Sequence, residues 1–140
     1  MGKTAREVMT GGAECIGEND TILDAAKRLA ELDVGAMPIC GEDDRLKGML
    51  SDRDIVVKVL AEGRDPASTR AGDLGQGKPV TIGADDSVHE ALATMKEHKV
   101  RRLPVIDGHK LIGMISQADL AKNVDEEEVG ELVEAISAAP

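Results

Sequence analysis

The chain contains no phenylalanine, tyrosine or tryptophan. Its core must therefore be built from Val, Ile, Leu, Met and Ala, and any bound base must lie between aliphatic side chains and backbone. Basic residues are in deficit as well: 17 Lys and Arg stand against 27 Asp and Glu, a net charge of −10. Nucleic-acid binders draw much of their affinity from phosphate contacts and carry a basic footprint. No nucleic-acid partner is expected here, and a small anion would need a local basic pocket. No apolar run approaches the roughly 20 residues of a membrane span. The N-terminal Met1-Gly2-Lys3-Thr4-Ala5-Arg6 lacks a signal-peptide run, and Arg6 stands where a myristoylation motif needs Ser or Thr. The expectation is a cytoplasmic protein with no membrane partner. Cysteine is limited to Cys15 and Cys40, and His89, His98 and His109 are the only histidines. No Cys-x-x-Cys or His-x-x-x-His pair occurs, so no metal site is expected.

What is present is a duplication. Ile16-Gly17-Glu18-Asn19-Asp20-Thr21-Ile22 aligns with Ile82-Gly83-Ala84-Asp85-Asp86-Ser87-Val88 at an offset of 66, as residues 16 and 82 show. The same offset pairs Ala25 with Ala91, Val34 with Val100 and Pro38 with Pro104. One residue is lost at the turn between Gly41-Glu42-Asp43-Asp44 and Asp107-Gly108, where a hairpin tolerates it. Leu46-Lys47-Gly48-Met49-Leu50-Ser51 then matches Leu111-Ile112-Gly113-Met114-Ile115-Ser116, and Asp54 matches Asp119.

Each copy reads as strand, helix, strand, strand, helix. The first helix carries Ile22, Ala25, Ala26 and Leu29 in one copy and Val88, Ala91, Leu92 and Met95 in the other, at helical spacing. Ser87 with Glu90, and Thr21 with Asp24, read as N-terminal caps. Met37-Pro38-Ile39-Cys40 and Leu103-Pro104-Val105-Ile106 read as short strands whose proline argues for an edge or a strand start. Ser51 and Ser116 open second helices. The boundaries expected are 4–62 and 71–124 for the two copies, with a polar linker over 63–70 containing Gly63 and Pro66. Residues 125–140 read as an acidic helix capped by Asp125, with Val129, Leu132, Val133 and Ile136 as its apolar stripe.

The pattern apolar-Pro-apolar-apolar, turn, Leu-x-Gly-apolar-apolar-Ser-x-x-Asp, present twice, resembles the CBS motif. The resemblance spans roughly residues 4–124. Gly35-Ala36-Met37-Pro38-Ile39-Cys40-Gly41 and Val100-Arg101-Arg102-Leu103-Pro104-Val105-Ile106 make it most similar to short, free-standing actinobacterial CBS proteins of the hypoxic-response type. The resemblance implies an α/β (α+β) fold of two β-α-β-β-α units in pseudo-twofold symmetry, a module that usually dimerises, and adenosine nucleotide held in clefts between units.

Ser51 and Ser116 at helix starts, each three residues before an Asp, place a hydroxyl and a carboxylate near free backbone N–H groups. A carboxylate can accept both hydroxyls of a ribose, and a helix N-terminus can face a phosphate. By resemblance, Asp54 and Asp119 are ribose-binding candidates and Ser51 and Ser116 phosphate-side candidates. A capping motif needing no ligand explains the same residues. Arg101 and Arg102, with Arg53 for the other copy, suit phosphate oxygens; a solvated charged face is the alternative. Backbone contacts to adenine would come from Ile16 and Ile82. In the topology the resemblance implies, the strands bearing Cys15 and Cys40 are neighbours, leaving open a disulfide or two buried thiols. No catalytic constellation presents itself. The expected function is a non-catalytic module that senses adenosine nucleotide, has no cofactor, forms a homodimer and signals to an unidentified protein partner. The alternative is a nucleotide-independent, redox- or stress-linked dimeric interaction protein.

Overall fold

The computed structural model describes residues 2–12, 14–74 and 79–137. The tip of the expected C-terminal segment, residues 138–140, and part of the second copy, residues 75–78, lie outside them. The chain divides into two compact units: residues 14–79, and residues 1–13 with 80–140. The sequence copies and the packing units are therefore cut at different places. Ala5 and Val8 join the core of the second copy, and Ala71 and Leu74 join the core of the first.

In the 14–79 unit, β2 (Ile16–Gly17) pairs in parallel with β3 (Ala36–Cys40), which pairs antiparallel with β4 (Leu46–Ser51). Between β2 and β3 runs α2 (Ile22–Leu32). Its first turn is closed by the Thr21 hydroxyl, which accepts the Asp24 N–H at 3.1 Å. Ile22, Ala25 and Leu29 face the core, and the helix stops at Asp33, left-handed with φ 53°. After β4 come α3 (Asp52–Asp54) and a π-helical segment, Ile55–Leu60. The sequence reading anticipated an ordinary helix there. The β-branched run Ile55-Val56-Val57 crowds the preceding turn of an α-helix, and the wider winding, with the Ala61 N–H reaching the Val56 carbonyl at 2.9 Å, relieves it. The linker residues Pro66 and Thr69 accept the N–H groups of Leu23 and Ile22, and so tie the linker to the start of α2.

The other unit holds α1 (Ala5–Val8), β1 (Thr10–Gly11), β5 (Ile82–Gly83), α4 (Val88–His98), β6 (Arg102–Asp107), β7 (Lys110–Ser116), α5 (Gln117–Ala121) and α6 (Glu126–Ser137). Its sheet order is β1-β7-β6-β5. The Ser87 hydroxyl caps α4 by accepting the Glu90 N–H at 3.1 Å. The Asp125 carboxylate caps α6 by accepting the Glu128 N–H at 2.8 Å. Leu132 and Ile136 are buried in this core, but Val133, expected in the apolar stripe, is 47% exposed. The stripe is narrower than the sequence suggested: α6 packs chiefly against α4 and α5.

The prolines correct a second expectation. Pro38 and Pro104 lie on β3 and β6, which are central by strand order. Yet β2 pairs only with Ile39 and Cys40, and β5 only with Val105 and Ile106. At the proline itself each strand has a neighbour on one side only. The missing N–H is tolerated for the reason that admits proline at an edge.

Candidate functional site

The candidate residues gather at one end of each sheet, where the last strand turns into the last helix. In the 14–79 unit, Ala36 lies opposite Ser51, and the Gly35 carbonyl accepts the Asp52 N–H at 2.9 Å. In the other unit, Arg102 lies opposite Ser116, and the Arg101 carbonyl accepts the Gln117 N–H at 3.2 Å. One corner thus joins Ser51, Arg53 and Asp54. The other joins Ser116, Asp119, Arg101 and Arg102.

Both corners are closed by a reciprocal cap. The Ser51 Oγ accepts the Asp54 N–H at 3.1 Å while Asp54 Oδ2 accepts the Ser51 N–H at 3.0 Å. Ser116 and Asp119 repeat this at 3.3 and 3.0 Å. The capping explanation is therefore true of these residues, and it leaves the second carboxylate oxygen of each Asp to other partners. Those partners differ. Asp54 Oδ1 lies 3.4 Å from Lys58 Nζ, one helical turn on. Asp119 Oδ1 accepts from the Thr10 hydroxyl at 3.3 Å. Burial raises the Asp54 pKa, but the Ser51 N–H and hydroxyl and the Lys58 ammonium more than offset it, so the carboxyl sits below its ordinary range. An ionised carboxylate is an acceptor only, the chemistry a vicinal diol requires.

Sequence reasoning missed Lys58 and Thr10. Lys58 was legible, since Asp54 and Lys58 have i, i+4 spacing. Thr10 was not, because it reaches Asp119 only through the pairing of β1 with β7.

The arginines Arg53, Arg101 and Arg102 are exposed, and among the described residues no ion pair engages them. Ile16 and Ile82 are buried, so only their main chains are available. They pair with Ile39 and Val105, three residues along the strand from the serine corner, or about 10 Å at ordinary strand rise.

Cys15 and Cys40 form a disulfide with Cα atoms 5.7 Å apart, closing a separation of 25 residues. Arg28 holds the same end of the sheet: its guanidinium donates to the Cys15 carbonyl at 3.2 Å and pairs with Glu14 at 3.3 Å. Among the described residues no helix is long and apolar enough to cross a membrane.

The CBS domain family model matches residues 5–61 and 71–126. Hypoxic response protein 1 of Mycobacterium tuberculosis is 47% identical over 133 residues, covering 95% of this chain and 93% of that protein. The crystal structure of hypoxic response protein I with two coordinated zinc ions superposes with a TM-score of 0.82 at 48% identity, covering 88% of this chain and 100% of that one. The crystal structure of CBSX2 in complex with AMP gives a TM-score of 0.75 at 25% identity, covering 86% and 95%.

Proposed function

The chain belongs to the CBS-domain family, and on that premise we propose that it is a non-catalytic regulatory module that binds an adenosine nucleotide and passes the occupancy to a partner protein. The observation that carries this reading is the second oxygen of Asp54. It is charged, half-buried and oriented by the cap, and it pairs with Lys58 at 3.4 Å. Ser51 and the start of α3 supply the polar surroundings, Arg53 a cation for phosphate, and the Ile16 main chain the adenine contact. Asp119, Ser116, Arg101, Arg102 and Ile82 are the equivalent set in the other unit. CBSX2, which holds AMP, supports the ligand class.

Zinc, carried by hypoxic response protein I, fits this chain less well. Among the described residues no three His, Cys, Asp or Glu are grouped to hold a metal ion. His89 faces a single carboxylate, Glu128, at 3.4 Å. The reading takes the protein as a cytoplasmic homodimer, where the surrounding thiol pool works against a stable disulfide. A second reading, a nucleotide-independent interaction protein responsive to redox state, is favoured by the Cys15–Cys40 bridge.

Calorimetric titration with AMP, ADP, ATP and S-adenosylmethionine, in oxidised and reduced samples, separates the two. Micromolar binding, about −8 kcal/mol, supports the sensor. No heat from any ligand in either state, with a redox-dependent change in partner binding, supports the second reading.

A further inference from the structure

The duplication supplies an internal control for the disulfide. Cys15 and Cys40 fall where the second copy has Thr81 and Ile106. There β5 pairs with β6 at Ile82–Val105 and Gly83–Ile106, the register that β2 and β3 adopt at Ile16–Ile39 and Gly17–Cys40. The main-chain bond just beyond is shared as well. The Glu18 N–H donates to the Cys40 carbonyl at 2.9 Å, and the Ala84 N–H to the Ile106 carbonyl at 2.8 Å. The second copy builds this strand pair without sulfur. The bridge is therefore added to a pairing that stands without it, and its opening leaves the strands in place.

The two sulfurs are not equivalent. Among the described strands β3 is the middle of its sheet and β2 an edge. Cys40, the last residue of β3, pairs with Gly17 on one side and Leu46 on the other and is 6% exposed. Cys15 precedes β2 and is half-buried. Its main chain is held by the Arg28 guanidinium, which donates to the Cys15 carbonyl at 3.2 Å, a contact in which the sulfur takes no part. Both ends of an opened bridge thus stay anchored, with Cα atoms 5.7 Å apart, inside the range that a disulfide spans. Neither opening nor re-forming requires the chain to unfold.

We propose that the bridge is a reversible thiol-exchange site of the folded protein, entered at Cys15. A thiolate attacks Cys15 Sγ, because access decides which sulfur of a disulfide is attacked. A bond forms between the two, the Cys15–Cys40 bond breaks, and Cys40 leaves as a thiolate that takes a proton from solvent. A second thiolate attacks the incoming group's sulfur, releases it as a disulfide and frees the Cys15 thiolate, which is protonated in turn. Two thiols are oxidised and one disulfide is reduced. The co-reactant is a small-molecule thiol or the dithiol of a protein. The proposal deepens the redox-responsive reading above and shares its premise that the bridge answers to thiols; it does not rest on nucleotide binding. Exchange at Cys15 with partner binding indifferent to redox state would remove that reading and leave the site.

The test treats the intact oxidised protein with reduced glutathione and, separately, with a thioredoxin whose resolving cysteine is replaced by serine, which traps the mixed disulfide. Peptide mass spectrometry after acid quenching is expected to find the adduct on Cys15. Glutathione disulfide is expected to modify a Cys40→Ser variant at least tenfold faster than a Cys15→Ser variant. About 1 M urea is expected to leave the opening rate unchanged, whereas opening by way of the unfolded chain would accelerate at least about fivefold. In the reduced protein the Glu18 amide is expected to keep its hydrogen-exchange protection, since its partner is the Cys40 carbonyl. Opening by glutathione supports the proposal with a small-molecule thiol as the source, and opening by thioredoxin alone supports it with a protein dithiol. Four results overturn it: no opening by either probe, an adduct or faster reaction at Cys40, opening accelerated by urea, or Glu18 protection lost on reduction.

Discussion

Asp54 and Ser51 do separable work, and single substitutions should show it. Loss of an N-cap hydroxyl costs about 1 kcal/mol, so Ser51→Ala should lower stability to urea by that order. Asp54 acts through its charge. Its folded pKa lies below the unfolded value, so its contribution is fully present above the unfolded carboxylate range and is lost as pH falls through the folded value. Asp54→Asn should therefore be less stable than the wild type near neutrality, with the two converging in acid. Chemical denaturation across pH checks this; a constant gap down to acid would contradict it. The Ser-x-x-Asp corners were legible in sequence because capping is a local grammar of four residues. The identity of the second partner of each Asp was legible only for Lys58, on the same helix, and not for Thr10, which sequence separates from Asp119 by 109 residues.

Equivalent glycines in the two copies report how the elements differ. A Cβ on Gly113 would lie 2.5 Å from the Met9 sulfur and 2.7 Å from the Thr10 carbonyl, whereas on Gly48 it would meet only Ile39 at 4.0 Å. Gly113→Ala should detach β1, seen as loss of hydrogen-exchange protection at Thr10 and Gly11, while Gly48→Ala leaves stability within about 0.5 kcal/mol. Equal effects would mean that β1 does not pack on β7 in solution. No sequence pattern announces β1: two residues have no alternation, and their pairing is set by the approach that Gly113 permits. The short apolar strands and the helices with caps were legible. The π-helical winding was not, because β-branched crowding has several remedies. The disulfide belongs to this scale too. Closing 25 residues removes loop entropy worth about 3.5 kcal/mol in the chain-entropy model, so reductant should lower the denaturation midpoint, and a Cys15→Ala, Cys40→Ala variant should match the reduced protein.

For the molecule as a whole, charge and duplication set the behaviour. The ion pairs described are mostly exposed and worth about 0–1 kcal/mol each, whereas a net charge of −10 repels itself throughout. Moving from about 10 mM to about 150 mM salt shortens the screening length from roughly 30 to 8 Å, and Tm should rise. A falling Tm would show that the surface pairs outweigh the net repulsion. The duplication was readable from sequence at an offset of 66 that falls by one at the hairpin turn, and with it the strand, helix, strand, strand, helix order of each copy. What sequence could not give is which segments pack with which core, since residues 5–8 and 71–74 each join the core of the neighbouring copy. The central claim is that Asp54 and Asp119 hold a nucleotide's ribose. Its most direct test is titration of AMP into the wild type, Asp54→Asn and Asp119→Asn at one redox state, with circular dichroism confirming each fold. The account predicts micromolar binding that one or both substitutions abolish. Binding that survives in both variants and in their combination, or no binding in the wild type, would contradict it.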